Sequence, residues 1–392
     1  MNIKEIFKKE ELDIPNYNNP NFIDLINALY GKFGAGFKKN NNIEKISNLI
    51  PNNKHTLFII SDGTGSNVID SLNQNSILKK YKKQDLLTVS PCTTGCVLTS
   101  LATAKYPSEH GIIGWYSYNR EFNKDYYPLL FKDRKSDKSL TEFGIEPKDI
   151  YKEKSVLNSL NINIKVMYPD YIYDTVYSKF VINDENRIAY KDIEDAFNII
   201  SDRINSIESS FTYLYIPDVD SISHANGVYS PLIKAKLEEI EKELKKIVKN
   251  KDLTIILTAD HGQIDITNDV IMDFKKYNKY FYALPGIDFG TATYYVNKEY
   301  EEEFVNEFNK DFKNKMFLFK IEDFLENNIF GNTEISSYLK DSLGEYISVC
   351  KKGYYLINSL KTDEYFGKIK GCHSGFSKEE LTIPLIIIDS NN

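Results

Sequence analysis

Three short apolar runs, each followed closely by an aspartate, constrain the fold of this chain more than any other feature. They are 56–60 (TLFII, then Ser61-Asp62-Gly63), 211–216 (FTYLYI, with Asp220 just beyond) and 253–258 (LTIILT, then Ala259-Asp260-His261). Compact apolar runs bounded by polar turns read as strands buried on both faces. Amphipathic stretches separate them, the clearest being the charged helix expected over 231–249. Alternating strands and helices call for an α/β fold, a mostly parallel central sheet flanked by helices. Sheets of this kind place their sites beyond the carboxyl ends of the strands, where these aspartates stand.

The rest of the chain fits around that frame. Further strands are expected at 164–167 and 383–388, and a helix at 95–104 after Pro91-Cys-Thr-Thr94. Residues 1–54 are rich in Asn and Lys but carry Phe22, Leu25, Ile26 and Leu29 at helical spacing, which predicts a helical amino-terminal extension packed on the core. From 266 to 368 aromatic strands (291–296, 354–357) alternate with acidic helices (298–312, 320–327), the pattern of a smaller α+β insertion. The core domain is therefore expected over 55–265 and 369–392, with the Tyr- and Lys-rich segment 115–160 as a lid. Its aromatics between Trp115 and Phe131 read first as lid packing, with stacking on a nucleobase as the alternative.

Composition narrows the class. At 392 residues with 42% apolar, the chain has the material for one large α/β domain with insertions. A net charge of −7 with mixed signs gives no sign of a nucleic-acid footprint, and the basic runs 79–83 and 242–246 read as solvated helix faces. No apolar run is long enough for a membrane segment, and the amino terminus lacks the pattern of a secretory signal. Cysteines 92, 96, 350 and 372 have no zinc-ribbon spacing and suit a reducing compartment, so a cytoplasmic location is expected.

The chemistry lies at the strand ends. Asp62, Asp220 with His224, Asp260 with His261, and His373 before the last strand are all metal-ligand residue types. The chain has only 5 histidines, and His224, His261 and His373 fall in these positions. Of the others, His110 lies in a tight turn and reads as structural, and His55, ahead of the first strand, reads as a surface residue. A cation pair needs an attacking group. Thr94 begins a helix, where the macrodipole and a nearby cation would lower its hydroxyl pKa. Its alternative reading is a plain helix cap. Cys92, two residues earlier, reads as a buried, inert thiol.

These pieces resemble the alkaline phosphatase superfamily, and within it the type I phosphodiesterase/nucleotide pyrophosphatase family. The matching motifs are Ser61-Asp62-Gly63, the stretch from Pro91 to Gly114, Asp220-Ser-Ile-Ser-His224 with Gly227, Thr258-Ala-Asp-His-Gly262, and Gly371-Cys-His-Ser-Gly375 ahead of Ile383-Pro384. They occur in the family's order. The resemblance implies one divalent cation on Asp62, Thr94, Asp260 and His261, and a second on Asp220, His224 and His373, with zinc favoured and manganese also suited. It implies Thr94 as nucleophile, with Thr93 as fallback, a phospho-threonine intermediate, and a small phosphorylated substrate, nucleotides included. Cleavage of a diester or anhydride is the first expectation. A phosphomonoesterase or phosphonate hydrolase, a phosphotransferase, and a decayed metal-binding protein are the alternatives. Three departures from the family's pattern bear on the substrate expectation and leave the metal ligands untouched. The family's Thr-Gly is Thr103-Ala104 here, its phosphate-binding Asn is replaced by Gly114-Trp115, and its Thr-Phe-Pro-Asn-His stretch by Thr94-Gly95-Cys96-Val97-Leu98.

Overall fold

The computed structural model describes residues 2–36, 39–205, 208–249, 252–357 and 367–391. The central sheet uses β1 (His55–Ser61), β2 (Lys82–Leu87), β3 (Asn163–Pro169), β4 (Arg187–Tyr190), β5 (Ser210–Ile216), β6 (Leu253–Thr258) and, after a second sheet, β11 (Thr382–Asp389). Their order is β2-β11-β6-β1-β5-β3-β4. β6, β1, β5, β3 and β4 run parallel, and β11 is antiparallel to both its neighbours. The sheet is mostly parallel, as the strand-helix alternation requires.

Side-chain alternation along β1 explains its continuous apolar sequence. Leu57 and Ile59 face a cluster with Phe197 and Ile200 of one helix (α3, Ile193–Ile204) and Leu237, Ile240 and Leu244 of another (α5, Pro231–Ile247). Phe58 and Ile60 face the opposite cluster, which includes Phe22, Leu25, Ile26 and Leu29 of α1 (Phe22–Gly31) and Val97 and Leu101 of α2 (Thr94–Thr103). Both faces are covered, so a strand without polar alternation is the stable solution. The aromatic segment after Trp115 feeds the same core. It forms a three-stranded antiparallel sheet (Ser117–Asn119, Lys124–Tyr127, Lys132–Asp133), and Tyr126, Phe131, Leu140 and Tyr151 join the second cluster.

Two expectations need correction. The basic run 79–83 is not one helix face: the helix Ile77–Lys80 ends there, and Lys82 and Lys83 open β2. β2 is an edge strand, and Lys82 pairs with Asp70 at 2.8 Å and Asp85 at 2.7 Å, so its charge sits where it blunts further pairing. His55 is not at the surface. It is the first residue of β1, 2% exposed, with Nδ1 2.8 Å from Ser210 Oγ on β5.

A second sheet, of β7 (Phe281–Ile287), β8 (Thr291–Val296), β9 (Met316–Lys320) and β10 (Tyr346–Cys350), is antiparallel in the order β7-β8-β10-β9. Phe304, Phe308 and Phe312, on one stripe of the helix Glu301–Phe312, pack with Tyr294 and Tyr346 of this sheet. Residues 358–366 of the expected insertion lie outside the described residues.

Helix α2 ends at Ala104, which takes a left-handed conformation at φ 55°. This is the position where the resembling family has glycine, and the backbone explains why. An L residue is strained there, so Ala104→Gly should stabilise the fold by about 1 kcal/mol in denaturant unfolding.

Candidate active site

Strand register sets the site. Ser61 pairs with Ile216 and Ile60 with Thr258, so β1, β5 and β6 end nearly level. Asp62 extends the ladder by donating its N–H to Ile216 O at 2.9 Å. Gly63 then turns at φ +68°, and its amide donates to Asp260 Oδ1 at 3.1 Å. A Cβ at Gly63 would stand 3.0 Å from Asp220 Cα, so only glycine allows this approach. Beyond β5 the chain enters α4 (Asp218–Asn226), which carries Asp220 and His224 one turn apart. His373 follows the short strand Gly371–Cys372.

All the strand-end candidates meet here, in two groups. Asp62, Asp260 and His261 form one and Asp220, His224 and His373 the other, with potential ligand atoms within 4.8 Å of one another in each group. The groups adjoin, since the His261 and His373 rings stack with centroids 3.8 Å apart. Thr94 is the first residue of α2, and its Oγ1 lies 3.3 Å from His261 Nε2. Thr93, the fallback, is committed elsewhere: it is 1% exposed and donates its hydroxyl to Asp288 Oδ2 at 2.7 Å. His110 has both ring nitrogens occupied, by Ser100 Oγ at 2.9 Å and the Ile112 amide at 3.1 Å, and Cys92 is buried against Gly375 O.

The donor set fits divalent cations. Each of the three histidines has Nδ1 against a backbone carbonyl: His224 on Gly371 at 2.8 Å, His261 on Gly262 at 3.1 Å and His373 on Cys92 at 3.1 Å. A carbonyl only accepts, so each Nδ1 donates there and each Nε2 is the nitrogen turned towards the site, the orientation that metal ligation requires. Asp62 Oδ1 and Asp260 Oδ2 are buried with no hydrogen-bond partner. Leaving such atoms unmatched is costly unless a cation meets them.

Electrostatics of the metal-free chain carry the same strain. Burial, together with the Asp260 and Asp220 carboxylates, pushes the Asp62 carboxyl well above the ordinary range. Burial also works against ionised Asp220 and His224, but their mutual attraction wins, holding Asp220 low and lifting His224 to about 9. Burial and the neighbouring His261 drive His373 well down, so it stays neutral.

Three contributors carried no readable sequence signal. Tyr215, on β5, donates its hydroxyl to Asp62 Oδ2, and Gln263 donates its amide to Asp220 Oδ1. Asp288, in the turn between β7 and β8, accepts from Thr93 and from the Phe289 amide at 2.9 Å. Burial raises the Asp288 carboxyl from 3.8 to about 6. The folded chain then holds a proton that the unfolded chain releases, so this group's share of stability is complete below about pH 4 and lost as pH rises through about 6. Asp288→Asn should flatten that decline in the metal-free protein by ~3 kcal/mol at most, read by denaturant unfolding across the window.

Two cavities flank Thr94, and Trp115 and Asp220 line both. One, of about 280 Å³, adds His224, His373, Asp288, Phe289 and Tyr355. The other, of about 260 Å³, adds Asp62, Leu98, Leu130, Tyr171, Tyr177 and Tyr215. Gly114 accounts for the absence of the Asn expected nearby: a Cβ there would collide with the backbone of Ile287.

No curated protein matches the sequence. Among solved structures, human ectonucleotide pyrophosphatase/phosphodiesterase 5 is similar with TM-score 0.65 and 16% identity, over 85% of this chain and 87% of that one. The murine protein is similar with TM-score 0.63 and 16% identity over 84% and 87%, and a threonine-to-alanine form of it, described as inactive, is known in complex with AMP. Phosphonoacetate hydrolase from Sinorhizobium meliloti 1021, in complex with phosphonoformate, is similar with TM-score 0.63 and 14% identity over 86% and 91%. At these identities the likeness establishes the fold. The sequence family described as type I phosphodiesterase / nucleotide pyrophosphatase matches residues 56–370 of the 392, and the chain belongs to that family.

Proposed function

We propose that this protein is a metal-dependent phosphodiesterase or nucleotide pyrophosphatase that works through a phospho-threonine on Thr94. The observation that carries this reading is the position of Thr94 Oγ1, 3.3 Å from His261 Nε2 and beside two adjoining carboxylate-imidazole groups, one of which holds two buried carboxylate oxygens without a hydrogen bond. Asp62, Thr94, Asp260 and His261 would hold one divalent cation and Asp220, His224 and His373 the other. The all-oxygen-and-imidazole set suits zinc first and manganese next. When bound, the cations supply charge neutralisation at the reacting phosphorus and a lowered pKa for the Thr94 hydroxyl.

The chain's own groups do the rest. Asp62 and Asp220 are oriented by Tyr215 and Gln263. The start of α2 presents the Thr94 and Gly95 amides, which form no hydrogen bond among the described residues, to a phosphoryl oxygen. Thr94 Oγ1 gives its proton to solvent and attacks phosphorus in line. The P–Oγ bond forms, the opposite P–O bond breaks, and the departing oxygen takes a proton from solvent. Water then attacks the phospho-threonine, restores the Thr94 hydroxyl and releases the phosphate product. The inactive threonine-to-alanine form of the murine relative supports this role for a threonine.

Two cavities suit the two substituents of a diester. A dianionic monoester would call for Lys or Arg, and none lines either cavity among the described residues. The exposed ring of Tyr171 and the side chains of Leu130 and Tyr177 offer a surface for a planar or apolar substituent, a nucleoside among them. Four cysteines, buried and unbridged, support a reducing, cytoplasmic setting. Among the described residues no helix is long and apolar enough to cross a membrane.

The test compares bis(4-nitrophenyl) phosphate and a nucleoside monophosphate aryl ester with 4-nitrophenyl phosphate and phosphonoacetate. Diesters should lead in kcat/KM by about a hundredfold. Faster cleavage of the monoester or of phosphonoacetate would move the assignment to the corresponding hydrolase.

A further inference from the structure

Thr93 occupies the cap position of α2 yet makes no capping hydrogen bond with its side chain. A threonine here ordinarily turns its oxygen to the amides of the second or third helical residue, Gly95 or Cys96. Instead its hydroxyl points away, donating to Asp288 Oδ2 at 2.7 Å. Asp288 is 4% exposed, and its other oxygen is fixed by the Phe289 amide at 2.9 Å, so the acceptor is held by the turn between β7 and β8. The backbone carbonyl of Thr93 accepts from Cys96 and Val97 at 3.0 Å, which starts the helix without the side chain. The unpartnered buried oxygens Asp62 Oδ1 and Asp260 Oδ2 mark the adjoining space as one built for a ligand.

We propose that Asp288 is a positioning residue: by drawing the Thr93 hydroxyl off the start of α2 it keeps the Gly95 amide open to a phosphoryl oxygen and fixes Thr94 beside His261. This rests on the phosphodiesterase reading and adds to it a group from the second sheet. The sign is specific. With Asp288 gone, the freed Thr93 hydroxyl rotates onto the helix amides and competes with substrate. Removing that hydroxyl as well removes the competitor, so the second substitution should repair part of the damage done by the first.

The experiment uses the metal-loaded full chain as wild type, Asp288→Ala, Thr93→Ala and the double variant. The readouts are kcat and KM on bis(4-nitrophenyl) phosphate, metal content, and orthovanadate affinity from the emission of Trp115, the only tryptophan and a lining residue of both cavities. Asp288→Ala should lower kcat about thirtyfold and weaken vanadate about tenfold, with metal content unchanged. The double variant should recover about threefold or more of each. A double variant no better than Asp288→Ala, or kcat within about threefold of wild type in Asp288→Ala, overturns the proposal. If Asp288→Ala does not fold, Thr93→Ser and Thr93→Val decide. The serine should keep kcat within about threefold and the valine lose about tenfold, and a valine variant as fast as wild type is equally fatal. Wild-type cleavage with additive variants removes only the role of Asp288, whereas a wild type that neither cleaves the diester nor binds vanadate removes the phosphodiesterase reading and this inference together.

Discussion

Replacing Thr94 with alanine is expected to lower kcat on a diester by about a thousandfold or more while leaving metal content near that of the wild type. The two halves of this result have separate causes. In the proposed mechanism the hydroxyl is what bonds to phosphorus, and nothing else at the start of α2 can substitute: Thr93 is tied to Asp288 and Cys92 is buried with its thiol pushed well up by burial. The ligand set survives, because Asp62, Asp260 and His261 remain on the ends of β1 and β6, where sheet register holds them. Thr94→Ser keeps an attacking oxygen at the same backbone position and should retain activity within about tenfold. Steady-state kinetics with metal analysis on the same preparations checks both. An alanine variant within tenfold of wild type would mean that water attacks phosphorus directly.

Stripping divalent cations with a chelator is expected to bring hydrolysis to background and to lower the unfolding midpoint, both reversed by zinc or manganese. Without cations, burial and the Asp260 and Asp220 carboxylates oppose ionised Asp62, and two carboxylate oxygens stay unmatched. A cation bound at a thousand times its dissociation constant returns about 4 kcal/mol to the fold. Asp260→Asn should separate the sites, since Asp260 belongs to only one group: bound metal should fall from about two equivalents to one, with hydrolysis reduced to near background. Calorimetric unfolding and metal analysis read these effects. Full activity after exhaustive chelation would refute the metal-dependent mechanism.

Some of this arrangement can be read from sequence because the physics is local. An apolar run such as 253–258 can only be a buried strand or a short piece of helix, and Asp260-His261 at its end marks the functional rim of the sheet. The same logic reached Asp62 and, through a helical turn, His224 from Asp220. Thr94 was legible as the opening of a helix. β2 was not, because KKQDLL is an edge strand whose charges hide any strand pattern. His55 was misread because its burial comes from pairing with β5, far off in sequence. Tyr215, Gln263 and Asp288 act through contacts made only by tertiary packing. Tyr215 looks like any strand aromatic, and Asp288 like any turn carboxylate. The cavities are equally invisible beforehand, since Trp115 and Asp220 meet across more than a hundred residues of chain.

The steric course of the reaction tests most directly whether the side chain at position 94 becomes covalently attached to phosphorus. A chiral phosphorothioate diester hydrolysed in oxygen-18 water reports it without trapping any intermediate. Two successive in-line displacements, first by Thr94 and then by water, should give net retention of configuration. Net inversion would show a single attack by water and contradict the phospho-threonine route.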